Sequence, residues 1–313
     1  MSSPALELRP LVGTNPLGFL AALGALDVAT RSLSQVRPTL HWTEGLAPRA
    51  VLSGPHDLDH LIGLIDDDRA TWTESPVLSG SESDPNPSDL KPTPEVLHRW
   101  AAATRQVSEG SGRADADLFC GLMAEGATAG KGDGKPTHLH FTAGQQRFLS
   151  MVREIRESLV RADLDEALRG PWRHSSTLPV LGWDARGERI YALRGTNPAK
   201  EKRLGVPGAD WLAFLGLRFF PVAECRGSLL TAGCEPNWKG GSLSWPLWSV
   251  PLGADVVGSL IGSVLGNARK GGAGVACWSD AERAAVGVSQ VLRAPIRRAD
   301  QGGYGSFGPA GRT

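Results

Sequence analysis

His138 and His140 stand two residues apart in KPTHLHFTAGQQRFL (135–149), inside a short apolar run. On an extended strand, residues two apart project to the same side. Two imidazoles so placed could share a metal ion or exchange a proton. A third ligand is not identifiable nearby, since the closest candidate, Asp133, belongs to a glycine-rich stretch. A metal-dependent nuclease or phosphodiesterase built on His138 and His140 is therefore the less favoured reading, and packed strand residues the preferred one. Thr142 and Gln145 have the spacing of a capping box, so the segment is expected to pass from strand into helix. A helix opening at Ala143–Arg147 would present unpaired N–H groups beside Gln145, Gln146 and Arg147, a setting that suits a phosphate.

Other catalytic patterns fail on spacing. In GATAGKGDGKPT (126–137) a nucleotide phosphate loop would need Gly where Ala129 stands and Ser or Thr where Pro136 stands. The loop also precedes its expected strand, whereas a phosphate loop follows one. No Gly-x-Ser-x-Gly elbow occurs, which leaves serine-hydrolase chemistry without an anchor. Asp66, Asp67 and Asp68 end a helical run and are read as a solvated face.

Basic residues carry the better functional signal. Arg194, Lys200, Lys202 and Arg203 cluster in one loop, and Arg293, Arg297 and Arg298 lie near the tail. Tyr304 and Phe307 stand among glycines there and could stack on bases. Residues 1–110 hold 8 Lys+Arg against 14 Asp+Glu, net −6, while residues 186–313 hold 16 against 9, net +7. That asymmetry permits a basic binding face on the C-terminal half.

The elements that must position these residues read as follows. NPLGFLAALGALDVATR is a buried helix capped by Asn15, with Pro16 in its first turn. RPTLHWTEG (37–45) reads as a strand and DLDHLIGLIDDD (57–68) as an amphipathic helix. Residues 75–95 read as a long exposed mobile loop, followed by a helix at EVLHRWAAATRQ. Residues 126–136 read as a second flexible stretch. Phe148, Val152, Ile155 and Leu159 form the apolar stripe of one helix over 147–168. WRHSSTLPVLGWD and GERIYALRG suggest short strands, and ADWLAFLGLRFFPVA (209–223) a compact helix. SLSWPLW is extended, a helix follows it, and the tail QGGYGSFGPAGRT reads as loose. Trp42, Trp183, Trp211, Trp245 and Trp248 sit in apolar contexts that suit core or subunit contacts. GTNP recurs at 13–16 and 195–198, and FLAALG (19–24) is echoed by WLAFLG (211–216). The echo is read as chance recurrence of common residues in preference to duplication.

With 41% hydrophobic and 21% charged residues, the 313-residue chain has the composition of a globular protein. Its four cysteines form no CxxC pair, so no structural zinc is indicated. MSSPALELRP lacks a signal-peptide pattern and no run reaches bilayer length, so a cytoplasmic setting is expected, with no membrane contact. The expected fold is α+β, mixed helices and short strands in one large domain or two closely packed lobes. Those lobes would be 1–175, carrying the 75–95 loop, and a basic 176–313.

As a set, NPLGFLAALGALDV with TLHW, HLHFTAGQQRFL, GPWRHSSTLPVLGWD, RIYALRGTNP, and WLAFLGLRFFPV with SWPLWSVPL resemble a small protein family. That family is encoded with type I-G (also called I-U) CRISPR systems, and the likeness spans most of the chain. It implies a non-catalytic component of RNA-guided defence working beside effector subunits and the helicase–nuclease, with guide RNA or target DNA within reach. No catalytic residue and no cofactor come with it. An adaptor that bridges the helicase–nuclease through SWPLWSVPL, without touching nucleic acid, is the alternative.

Overall fold

The computed structural model describes residues 4–79, 90–129, 132–142, 146–187, 203–264, 279–298 and 305–313. Its architecture is α+β. Strand β1 (Ala5–Val12) leads into helix α1 (Pro16–Ser32), and β2 (Thr39–Trp42) and β3 (Arg49–Ser53) complete an antiparallel sheet in the order β1-β3-β2. Asn15 caps α1 through its side chain, which accepts from the Leu17 amide at 3.2 Å, and Pro16 occupies the first turn. Nearly every α1 residue is buried, so the helix runs through the core instead of lying on it.

The partner of α1 is α8 (Pro207–Gly216), itself buried along its whole length. The two helices cross at glycines. A Cβ on Gly24 would lie 1.8 Å from the Leu212 carbonyl oxygen, and one on Gly216 would lie 2.2 Å from that of Leu20. In FLAALG and WLAFLG the glycine is sixth and the touched leucine second, so the contact is reciprocal. The echo in the sequence thus marks the two halves of one helix crossing. The second GTNP, at 195–198, lies outside the described residues.

Around this crossing one hydrophobic cluster extends from Leu8 to Phe307, on both sides of position 175. Phe19 of α1 is its aromatic centre, stacked on Trp42 at 5.6 Å and edge-on to Trp248 at 6.3 Å. All five tryptophans expected in the core are there. Trp245 donates its indole N–H to Gly13 O and Trp248 to Leu40 O, so the rings pin β8 (Ser242–Trp248) to the first sheet.

Helix α2 (Leu58–Thr71) ends on an aspartate that the structure removes from solvent. Asp68 is buried, pairs with Arg31, and accepts from Trp72 Nε1 at 3.0 Å. The solvated-face reading of the 66–68 run is therefore corrected at Asp68. The ends of the 75–95 segment are also more structured than expected. Pro76–Ser79 form a short helix, α3, with Val77 and Leu78 buried, and Leu90 is buried before α4 (Pro94–Ser111) begins. Residues 80–89 lie outside the described residues.

After α5 (Ala114–Leu122), the stretch read as flexible is an antiparallel hairpin, β4 (Met123–Thr128) with β5 (Gly134–Pro136). The 147–168 helix is two helices, α6 (Phe148–Ser158) and α7 (Arg161–Arg169). The break at Leu159–Val160 is stabilised by Asp163, whose carboxylate accepts from the Val160 amide at 3.0 Å. The apolar stripe survives because Leu159 remains buried past the break.

Strands β6 (Val222–Cys225) and β7 (Ser228–Thr231) form a hairpin after α8. Helices α9 (Ala254–Val264) and α10 (Asp280–Ala285) follow β8. The last sheet is organised by β9 (Val288–Arg298), eleven residues long. β8 pairs along one edge of it, and the tail strands β10 (Gly305–Phe307) and β11 (Gly311–Arg312) pair along the other. The tail is thus sheet where a loose end was expected, because β9 offers the hydrogen bonds that its own composition does not suggest. Among the described residues no helix is long and apolar enough to cross a membrane.

Candidate nucleic-acid interface

The two histidines do not lie on a strand. Residues 137–142 form a turn, in which the His140 amide donates to Thr137 O at 3.1 Å and the His138 amide to the Thr231 hydroxyl at 3.0 Å. A side chain from β7 takes the hydrogen bond that a neighbouring strand would have taken. His138 Nδ1 lies 2.9 Å from Thr231 Oγ1, and His140 Nε2 lies 2.6 Å from Thr142 Oγ1. Thr142 is thereby tied to His140, and α6 begins at Phe148, so the expected capping box is replaced; Gln145 lies outside the described residues.

Arg298 closes this layer. Its Nη2 donates to His138 O at 2.7 Å and His140 O at 2.9 Å, and its Cζ lies 3.9 Å from the Trp238 ring centroid. Burial pulls the Arg298 guanidinium down to about 10, which still leaves it charged at neutral pH. Burial, with the Arg298 charge added, pushes His138 down to about 4 and His140 to about 3. Both imidazoles are neutral at pH 7 and packed beside a fixed cation. Among the described residues no three His, Cys, Asp or Glu side chains gather as a metal site. The layer is a support for β9, with Arg298 engaged by carbonyls and a tryptophan face.

The other expected contacts fall in four groups. Arg194, Lys200 and Lys202 lie outside the described residues, as does Tyr304. Arg147 is exposed at the start of α6, with Gln146 and Arg203 half-buried. Phe307 is buried and packs edge-on against Phe141 at 4.8 Å, so it is a core ring and not a stacking platform. Arg293 and Arg297, four apart on β9, project to one side of the sheet, and Arg298 to the other.

That outer side carries a surface cleft. A cleft of about 380 Å³ is lined by Arg293, Arg312, Glu235, Ser242, Pro295 and the backbone of Gly240 and Gly241, among others. Arg293 donates Nε to Ser242 Oγ at 2.8 Å and pairs with Glu235. Arg297 is exposed, its guanidinium running over Gly308. Arg312 is exposed on β11, opposite Leu292. Arg312 and Thr313 complete the lining on the β11 side, and Glu235 is matched to Arg293. Neither Arg312 nor Trp238 stands out in the sequence, although Trp238 in PNWKGG has a polar setting unlike that of the core tryptophans.

A second polar cluster ties down the segment before residue 188. Asp184 accepts from Asn15 Nδ2 at 3.0 Å and lies 2.7 Å from His174 Nε2, while Asn15 Oδ1 accepts from the Ala185 amide at 3.3 Å. His174 Nδ1 faces Trp172 O at 3.3 Å, so each ring nitrogen already has an oxygen partner. The cluster acts as a clamp on the α1 N-terminus. Nearby, burial pushes the Asp210 carboxyl up to about 8.

These buried groups predict a stability profile with pH. The unfolded chain protonates its histidines near 6.5, whereas the folded His138 and His140 resist until about 4 and 3. Their contribution is complete above about pH 6.5 and is lost on acidification through that window. Asp210 works in the opposite sense, since its folded carboxyl holds a proton that the unfolded one releases, so stability falls as pH rises toward about 8. Melting temperature should peak near neutrality. His138→Gln with His140→Gln should flatten the acid side, and Asp210→Asn the alkaline side; unchanged slopes in both variants would contradict the assignment.

No family model matches the chain, and a search of curated proteins likewise finds no match.

Proposed function

We propose that this chain is a non-catalytic, cytoplasmic component of a type I-G CRISPR interference system that contacts nucleic acid through the outer face of β9 and β11. The observation that carries this reading is the cleft lined by Arg293, Arg312, Gly240 and Gly241, with exposed Arg297 on the Arg293 side of β9. Arginine and backbone N–H groups hold phosphates without reading sequence. In an RNA-guided complex base pairing does the reading, so a positioning surface is the part left to such a subunit. The resemblance set in the sequence supplies the system. Its segments build the framework here: NPLGFLAALGALDV is α1, WLAFLG is in α8, and SWPLW is in β8.

The adaptor alternative would have to work through Ser249–Pro251 of SWPLWSVPL, because β8 is buried from end to end. Binding of labelled single-stranded RNA, single-stranded DNA and duplex DNA at two salt concentrations tests the proposal. Affinity should fall steeply as salt rises, since phosphate contacts release counterions. Absence of binding at low salt would remove direct nucleic-acid contact and return the chain to protein capture.

A further inference from the structure

We propose that the 235–241 loop is a base-stacking site for single-stranded nucleic acid, with Trp238 as the platform and the adjoining cleft as the seat of a backbone phosphate. The inference rests on the nucleic-acid reading above and names the form of ligand it takes.

Trp238 is 41% exposed, while Trp42, Trp72, Trp100, Trp183, Trp211, Trp245 and Trp248 are each at most 3% exposed. A large apolar ring left in water forgoes burial energy that the other rings collect. The fold nevertheless holds it in place. Arg298 stacks over the ring at 3.9 Å and is itself fixed by two carbonyl oxygens. The loop is also built from within, since Asn237 Oδ1 accepts from the amides of Lys239 and Gly240 at 3.2 and 3.4 Å. Gly241 O accepts from the Ile296 amide at 2.8 Å, which fastens the loop to β9. An exposed ring that is already immobile loses little entropy when a base covers it.

Chemistry beside the ring matches a nucleotide backbone. Gly240 is two residues from Trp238, at most about 7 Å along the chain, and lines the cleft with Arg293 and Arg312. A strand whose base covers Trp238 therefore has the Gly240–Gly241 end of the cleft, lined also by Arg312, beside its backbone. Duplex bases are stacked on one another and cannot offer a face, so the site selects single strands. Every base has a π-face, so the preference is for strandedness and not for sequence.

The test compares wild type, Trp238→Ala and Trp238→Phe for binding to labelled oligouridine, oligothymidine and a blunt duplex of equal length. The expected result is about tenfold weaker single-strand binding in Trp238→Ala, recovery in Trp238→Phe, and unchanged duplex binding. Single-strand binding equal to wild type in Trp238→Ala would overturn the stacking site while leaving salt-sensitive contact elsewhere intact. No binding of any nucleic acid by wild type would overturn both readings. In that event, loss of effector-subunit capture in Trp238→Ala would assign the loop to a protein partner. Should Trp238→Ala fail to fold, photocrosslinking of 5-iodouridine RNA to wild type decides. Crosslinks within 235–241 support the site, and crosslinks confined to other segments contradict it.

Discussion

Gly24→Ala and Gly216→Ala are each expected to destabilise the protein by about 3 kcal/mol or more, the upper end of what overpacking costs. Alanine is otherwise the better helix former, by about 1 kcal/mol over glycine, so the sign itself is diagnostic. The added methyl would enter the partner helix's backbone, 1.8 Å from Leu212 O in one case and 2.2 Å from Leu20 O in the other. Backbone cannot swing aside as a flexible side chain can, so α1 and α8 must separate and the surrounding aromatic layer with them. Urea titration of each variant measures the effect. Because both substitutions spread the same crossing, the double variant should lose less than the sum of the two. A variant as stable as wild type would show that the helices do not cross at these glycines.

Asp27→Ala should cost about 3–5 kcal/mol, the range for removing one partner of a buried ion pair. Asp27 is buried on α1 and serves two guanidinium groups, Arg31 with its Nε at 2.8 Å and Arg218. Arg31 also bonds Asp68, at 3.1 Å through Nη2, and Arg218 bonds Asp117 at 2.7 Å. Burial works against the Arg31 charge, yet Asp27 and Asp68 more than offset it and hold that guanidinium above its ordinary range. Without Asp27 two cations share a poorly solvated space with one fewer carboxylate. Asp27→Asn, which keeps an acceptor oxygen, should cost less than the alanine variant. Equal stability of Asp27→Ala and wild type in urea would mean that the network contributes nothing.

How much of this is readable in the residues depends on how local each cause is. Asn15 and Pro16 announce α1 because cap and first turn are set within a few residues. The five core tryptophans are readable from their apolar neighbours. β9 is not, because Pro295 and three arginines mask a strand whose hydrogen bonds come from β8 and the tail. THLHF has strand composition, but the Thr231 hydroxyl, distant in sequence, claims the His138 amide. The break after Ser158 does have a local signal, an aspartate at 163 placed to cap Val160, but the apolar stripe running through it masks it. Arg298 is harder still. A strand shifted by one residue would turn Arg297 inward and Arg298 outward, and nothing in RR tells which guanidinium backs a tryptophan. His174 and Asp184, ten residues apart, meet only because the intervening chain folds back toward the α1 N-terminus.

The most direct measurement of nucleic-acid contact is the salt dependence of single-stranded RNA affinity in wild type against Arg297→Ala with Arg312→Ala. Both residues are exposed, so the substitutions leave the core alone. If the β9–β11 face holds the backbone, the double variant binds more weakly. Its log–log slope then shrinks by about 0.7 for each phosphate that the two guanidinium groups neutralise in wild type. A wild-type slope retained in full by the variant would place the phosphate-binding groups elsewhere, and a wild-type slope of zero would contradict phosphate contact altogether.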